Sequence, residues 1–536
     1  MSKFTTWLFV LVLTIPLLIP LVKAGYPVTH DGLWAVVRQA EMHRELKDGQ
    51  FPPRWSNYLN HGYGYPLFSF TYPLPYLLGE MFVLSGFGLV TSVKLLFALS
   101  VLGSAVSFFL LGNYLWSKWG GLVATAFYLY APYRMLNLYV RGSLGESLAF
   151  VLYPLLFFLG LKLIRKPEPL TGVLLALFTA LLITTHNISA ILFAPFFAAW
   201  LLFHLWQEKL LVTRNAFLLG ISLSIGVLLA AFFWLPALAE KQFIALSQIP
   251  LSDKREFFLT LPVFLGQMKD PKIGIQLTSG IIHLLGALAG IWFVTTGVKT
   301  KQPKYTAYFL GLLIIIAVLL LFPVSFPVWQ LPLFKEIDFP WRISGVLMFL
   351  LSLLAGAAVT HKSGKYFAVP LIFGIIIVNS QYLEVSNRIN EADVYFATND
   401  ATTTSYDELM PVWVNSKAKN RPANFVDAGS ALATVINYKE RSNQVSFQIT
   451  SDDNTWARLH KLYFPGWKLL INGKLTAVET VPETGIMQFN VSAGVNTIEF
   501  IFTNTPVRTA ANIASLVGSG GLLGVWILSR KLFPSS

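Results

Sequence analysis

Apolar residues run in long, nearly uninterrupted blocks along most of this chain, and short polar connections separate them. A membrane-spanning helix takes about 20 mostly apolar residues. Twelve stretches approach that pattern, near 4–22, 91–113, 119–133, 145–163, 170–186, 188–206, 215–236, 277–297, 305–322, 343–360, 366–380 and 511–529. The first follows Lys3 and lacks a clean small-x-small cleavage site, so it reads as an uncleaved anchor, kinked by Pro16 and Pro20. The apolar segment 67–84 is interrupted by Pro73 and Pro75, and reads as an interfacial or half-inserted helix. From 431 onward the period shortens. Segments 434–438, 444–450, 456–462 and 497–502 are rich in β-branched and aromatic residues, with Asn, Asp and Gly between them. Asn472-Gly473 is a strong type I′ hairpin signal, because both residues tolerate positive φ. The expected fold class is an α-helical multispanning membrane protein of about twelve transmembrane helices with an external C-terminal β-sandwich.

Composition narrows the class. Only 12% of the residues are charged and 54% are hydrophobic, against about 25% charged in soluble domains. That excludes an ordinary soluble enzyme, a disordered chain and a nucleic-acid binder. The 40 Lys+Arg exceed the 27 Asp+Glu by 13, and in a membrane protein such an excess is first a topology signal. With the N-terminus inside, the inner connections hold Lys118; Lys162, Arg165 and Lys166; Lys209 and Arg214; Lys299, Lys301 and Lys304; Lys362 and Lys365; and Arg530 and Lys531. Both termini then lie inside a plasma (cytoplasmic) membrane. The outer segments are 25–90, 133–144, 237–276, 323–342 and 381–510. The expected domains are a transmembrane part over 1–380, an external β-rich domain over 381–510, and a terminal anchor over 511–536. No cysteine is present, which removes disulfides, thiolate metal sites and cysteine nucleophiles.

The titratable residues collect in the outer segments. Thr29-His30-Asp31-Gly32 follows the first span, and then come Phe51-Pro52-Pro53-Arg54-Trp55 and His61-Gly62-Tyr63-Gly64-Tyr65-Pro66. A carboxylate at the outer end of a span can ionise, and there it can accept a proton from a hydroxyl or hold a divalent cation. Asp31 can equally cap the helix that follows. Arg134, Arg141 and Glu146 lie in or beside one short outer loop. The arginines offer planar donor forks to a phosphate, or they snorkel at the interface with Arg134 paired to Glu146. Phe339-Pro340-Trp341-Arg342 places a cation where an outer loop enters a helix, with Asp338 as a local partner. His186 stands at an outer helix end, Glu240-Lys241 can pair, and Tyr463-Phe464-Pro465-Gly466-Trp467 offers either sugar-stacking rings or sandwich core. Phosphate-binding Gly loops, Cys/His zinc spacings and serine elbows are absent from the sequence.

These motifs, together with Pro132-Tyr133-Arg134, Arg141-Gly142-Ser143-Leu144-Gly145-Glu146, Phe233-Trp234-Leu235-Pro236, Tyr406-Asp407-Glu408 and Asn472-Gly473-Lys474, occur in order over nearly the whole chain. In this the chain resembles the 6-pyruvoyl-tetrahydropterin-synthase-related membrane proteins, whose name does not describe their activity. It is also similar to YfhO-like multispanning proteins, within the broad GT-C-type glycosyltransferase group. The resemblance implies a polyprenyl-phosphate sugar donor used on the outer face, with Asp31 at the usual catalytic or metal-holding position. Many such enzymes carry two adjacent acids there, whereas His30 precedes a single Asp31. A divalent cation (Mg or Mn) would therefore need Glu146 as its second carboxylate, or no metal is used.

The leading expectation is a glycosyltransferase in which Asp31 activates the acceptor. Arg54, Arg134, Arg141 and Arg342 then bind the lipid phosphate, while His30, Trp55, Tyr63, Glu146, His186 and Trp341 line the substrate site. Its partners would be a polyprenyl-phosphate sugar, an envelope glycan, lipid or protein acceptor, and membrane lipids, without nucleic acid. The alternatives are a lipid-linked glycan flippase and an envelope assembly protein. A topology test follows from the basic inner connections. Single cysteines at Ser451 and Ser363 should be respectively labelled and spared by an impermeant thiol reagent on intact cells; the reverse pattern would invert the topology.

Overall fold

The computed structural model describes residues 2–248, 253–272, 274–335, 337, 339–360, 364–383, 385 and 387–532. Asp338, Lys362 and Ser363 fall outside the described residues, as does the side chain of Lys365. Every one of the twelve predicted stretches is helical. They differ in length. Among the described residues seven helices are each long and apolar enough to cross a membrane, and nine crossings result if each of two bent pairs counts as one. Pro169–Thr185 and Ile281–Gly297 have 17 residues each, and Lys118–Leu129 has 12. At about 1.5 Å per residue, the last reaches only about 18 Å. It is buried continuously from Gly120 to Leu129, so its surroundings are protein and not lipid.

The breaks have local causes. The first span divides into Lys3–Val12 and Ile15–Val22 with a bend of 44°. Pro16 lies at the second position of the latter helix, where its ring excludes the carbonyl four residues back. The segment 67–84 splits into Leu67–Phe70 and Leu74–Leu84 around Thr71-Tyr72-Pro73, as its prolines predict. Arg214–Leu229 and Ala231–Ala239 meet at 66°. Pro236 lies inside the second helix and frees the carbonyl of Phe232, which instead accepts a 3.1 Å hydrogen bond from Arg54 Nη2.

The C-terminal β-rich region is a two-sheet antiparallel sandwich. One sheet runs Thr434–Arg441, Gln444–Ser451, Gly494–Phe502, Trp467–Ile471 and Lys474–Thr476; the other runs Val426–Ala428, Thr455–Leu462, Ile486–Val491 and Glu479–Thr480. Burial alternates strictly along Gln444–Ser451, the pattern of a strand with one face on a core. The predicted hairpin is present, with Asn472 at φ 51° and Gly473 at φ 76°.

The sandwich rests on the segment 25–90, between the first two spans. Trp55, fully buried, packs against Trp467 at 5.6 Å and Phe502 at 5.4 Å between ring centroids. The aromatic run of the β-rich region therefore contributes to this junction, where its rings are covered. Glu240 pairs with buried Arg508 at the head of Pro506–Leu532 at 2.8 Å, and Thr505 donates to it as well. That partner lies far along the chain, where sequence suggested neighbouring Lys241. Lys461 is wholly buried and donates to Glu440 at 2.7 Å and to the carbonyl of Gly62 at 2.5 Å.

Two measurements follow. Ser451 is buried at 1% exposure, so the outer cysteine belongs at exposed Lys474 and the inner one at Val212, which is 98% exposed. Burial pushes the Lys461 ammonium down from 10.5 to about 8, against the pull of Glu440. Keeping it charged therefore costs stability below that value. The cost fades as pH rises from about 8 towards 10.5, because only the unfolded chain still binds the proton there. Thermal stability of the junction should thus rise relative to Lys461→Met across this window. A wild type that tracks Lys461→Met throughout would show that Lys461 titrates normally.

Candidate functional site

The turn at 30–31 lies against the end of the helical turn Asn137–Arg141. His30 N–H donates to the carbonyl of Val140 at 3.0 Å and Asp31 N–H to that of Arg141 at 2.7 Å. Gly142, with φ 64°, turns the chain into Leu144–Arg165. A Cβ at Gly142 would lie 2.2 Å from Thr29 Oγ1, so the close pairing of the two segments needs this glycine. The turn brings Arg141 onto Glu146, the acidic residue in the first turn of the helix.

That pair is the centre of the cluster. Arg141 Nη1 donates to Glu146 Oε2 at 2.6 Å, and Tyr133 OH donates to Oε1 at 2.6 Å. Both partners are buried. Burial alone would lower the Arg141 value; Glu146 outweighs it, Tyr133 and Asp31 add to the effect, and the guanidinium is held charged. The guanidinium lies 4.9 Å from the Trp341 ring. Arg342 stands 5.6 Å from Phe339 and 5.7 Å from Trp341, and makes no ion pair among the described residues. Its Nε is buried without a hydrogen-bond partner.

Asp31 occupies the N-cap position of Gly32–Lys47, but its side chain makes no capping hydrogen bond. The capping role open in the sequence is therefore not what the structure contains. The half-buried carboxylate has no hydrogen bond or ion pair among the described residues, and it acts electrostatically on Arg141 and on the phenols of Tyr26, Tyr72 and Tyr76. Tyr72 joins the two halves of the cluster. Burial raises its phenol, with Tyr76 and Asp31 adding, while Arg38 and Arg342 oppose. Its ring meets His186 edge-on at 5.1 Å and fills the space a Cβ at Gly145 would take. His186 Nδ1 accepts from Ser189 N–H at 3.1 Å and so caps Asn187–Gln207.

Asp31, Arg141, Glu146, His186, Trp341 and Arg342 are thus brought into one cluster. Five other candidates lie elsewhere. Arg54 bonds the Phe232 carbonyl and Asn512, and burial with the Arg508 charge lowers it to about 10. Trp55 is core of the junction, and Tyr63 packs on His460 at 6.0 Å. Arg134 donates to the carbonyl of Ser100 at 2.9 Å and leans on Phe150 and Tyr128; Glu146 takes Arg141 as its partner instead. His30 is exposed on the other side of the 29–31 segment. Tyr72 and Arg38 were missed. Arg38 stands two helical turns beyond Asp31, a spacing that puts both on one face.

The donor set does not suit a divalent cation. Each oxygen of Glu146 already accepts a hydrogen bond, and a guanidinium sits within reach of both Glu146 and Asp31. No group of three His, Asp or Glu side chains converges among the described residues.

A bundle of apolar helices joined to a β-sandwich, with seven helices long and apolar enough to cross a membrane among the described residues, defines a multispanning membrane protein. The chain belongs to the 6-pyruvoyl-tetrahydropterin synthase related family of membrane proteins, whose model matches residues 68–386, more than half of the chain. It is also 28% identical over 244 residues to an uncharacterized protein of Lactococcus lactis subsp. cremoris (strain MG1363). That match covers 44% of this chain and 40% of the relative, less than half the length of either.

The ion pair generates a stability prediction. Glu146→Gln strands a buried guanidinium and should lower stability by about 3–5 kcal/mol, read as a fall in Tm in detergent. Adding Arg141→Met should recover most of that loss, since an apolar pair of similar volume needs no desolvation. Additive losses in the double variant would show that the two side chains are not coupled.

Proposed function

We propose that this protein is an integral-membrane glycosyltransferase that moves a sugar from a polyprenyl-phosphate donor to a cell-envelope acceptor on the outer face of the plasma membrane. The observation that carries this reading is the unpaired Asp31 carboxylate, which shares a cluster with an Arg342 guanidinium free of any ion pair among the described residues. One group can take a proton, and the other can hold a phosphate.

An apolar groove supports the lipid part. It has a volume of about 290 Å³ between Asn187–Gln207, Lys301–Leu320 and the segment that precedes Ile343. Leu192, Phe196, Leu313, Trp329 and Ile343 line it, and Ile343 directly follows Arg342. A prenyl chain in this groove brings its phosphate to Arg342. Asp31 then takes the proton of an acceptor hydroxyl as that oxygen attacks the anomeric carbon. The bond from that carbon to the phosphate oxygen breaks, and polyprenyl phosphate leaves with the electron pair. Arg342, and the net field of Arg141, stabilise the charge that develops on the phosphate. His186 and Tyr72 border the sugar. In this reading the β-rich domain over 381–510 stands outside, resting on the loop that carries Asp31, and both termini lie inside.

Asp31→Asn keeps size and hydrogen bonding but removes the proton acceptor. Transfer from a polyprenyl-phosphate sugar should fall by about 10²-fold or more, with expression and lipid binding retained. Arg342→Ala should weaken donor binding instead. An Asp31→Asn protein that transfers at the wild-type rate would end the case for a base, and would leave a phosphate-binding transporter as the better reading.

A further inference from the structure

The 29–31 segment is a wall with two sides. Asp31 and Arg141, joined by one backbone hydrogen bond, face the cluster described above, while His30 and Val140, joined by the other, line a separate cavity of about 1230 Å³. Its polar lining is basic. Lys23, His30, Lys269 and Arg388 contribute, and no Asp or Glu does among the described residues. Arg388 is held in place by the carbonyls of Pro20, Lys23, Ala24 and Gly25 at the end of Ile15–Val22. Lys23 and Lys269 are exposed and make no hydrogen bond or ion pair with their side chains among the described residues.

The remaining wall is apolar. Pro20 and Leu136 come from the ends of the bundle, and Leu383 and Val385 from the chain that leaves Gly364–Asn379. The cavity thus lies at the ends of two apolar helices, with an oily side and an unneutralised cationic side. A wholly soluble anion would leave the oily side wet, and a neutral lipid would leave the cations without a counter-charge. An amphiphile with a phosphate head satisfies both.

We infer that this cavity binds a phosphate-bearing lipid, with the phosphate between Lys23, Lys269 and His30 and the apolar part against Leu136 and Leu383. This site is separate from the Asp31 cluster and does not rest on the transferase reading. Wild-type protein in phosphatidylcholine nanodiscs, titrated with phosphatidic acid and followed by native mass spectrometry, tests it. Phosphatidic acid should bind in preference to phosphatidylcholine. The charge reversal Lys23→Glu with Lys269→Glu should weaken this at least about tenfold, and the neutralising pair Lys23→Gln with Lys269→Gln should weaken it less, at unchanged Tm. Asp31→Asn should leave it untouched, which separates this site from the fate of the proposed reaction. Equal binding by wild type and the charge-reversed protein would overturn the inference. So would displacement of the lipid by glycerol 3-phosphate at comparable concentration, because the apolar wall would then contribute nothing.

Discussion

A charge taken out of water must meet an opposite charge, and much of this molecule is arranged around that rule. Arg141 and Glu146 satisfy it for the cluster. Their contact depends on the left-handed turn at Gly142, and the turn depends on the 25–90 segment lying against 140–141. The helix that begins after Asp31 is therefore placed by the same contact that completes the ion pair. Trp341 covers the guanidinium, and Tyr133 fills the remaining carboxylate oxygen. In consequence Asp31 and Arg342 stand in the cluster without a bonded counter-charge among the described residues, while Arg38 is taken up by Thr403.

The sandwich is held by the same kind of accounting. Arg508 reaches Glu240, Lys461 reaches Glu440, and Arg54 supplies the donor that a proline-freed carbonyl lacks. Trp55 and Trp467 exclude water from this junction and so strengthen each of these polar contacts. The 25–90 segment is clamped on both sides, by the bundle at Arg141 and by the sandwich at Trp55. A loop held in this way can present a half-buried carboxylate in one orientation.

Arginines show how far local sequence reaches. Arg54, Arg134, Arg141 and Arg342 each sit beside aromatic residues near a predicted helix end, and each was a candidate phosphate ligand. Only their distant neighbours separate them. Arg54 is used by a carbonyl 178 positions away and Arg134 by one 34 positions away, while Arg342 keeps its charge available. Tyr72 and Arg38 carried no motif of their own, so nothing in the chain marked them. They join the cluster because a broken helix and the face of Gly32–Lys47 converge on Asp31.

What the amino-acid sequence determined by itself is the solvent of each segment and the local shape it takes there. Apolar runs of spanning length, basic connections, prolines at breaks and an Asn-Gly turn act over a few residues, and the helices, the 44° bend and the hairpin all stand where those residues place them. The tertiary structure alone decided which charges neutralise one another. Pairing in a low-dielectric interior is settled by distances between residues that the chain itself does not bring together, as with Glu240 and Arg508 or Glu440 and Lys461. It also decided that His30 and Asp31, adjacent in a turn, serve different surroundings, His30 lining the cavity beside Lys23 and Asp31 the Arg141 cluster, because the elements packed around the turn come from distant parts of the chain.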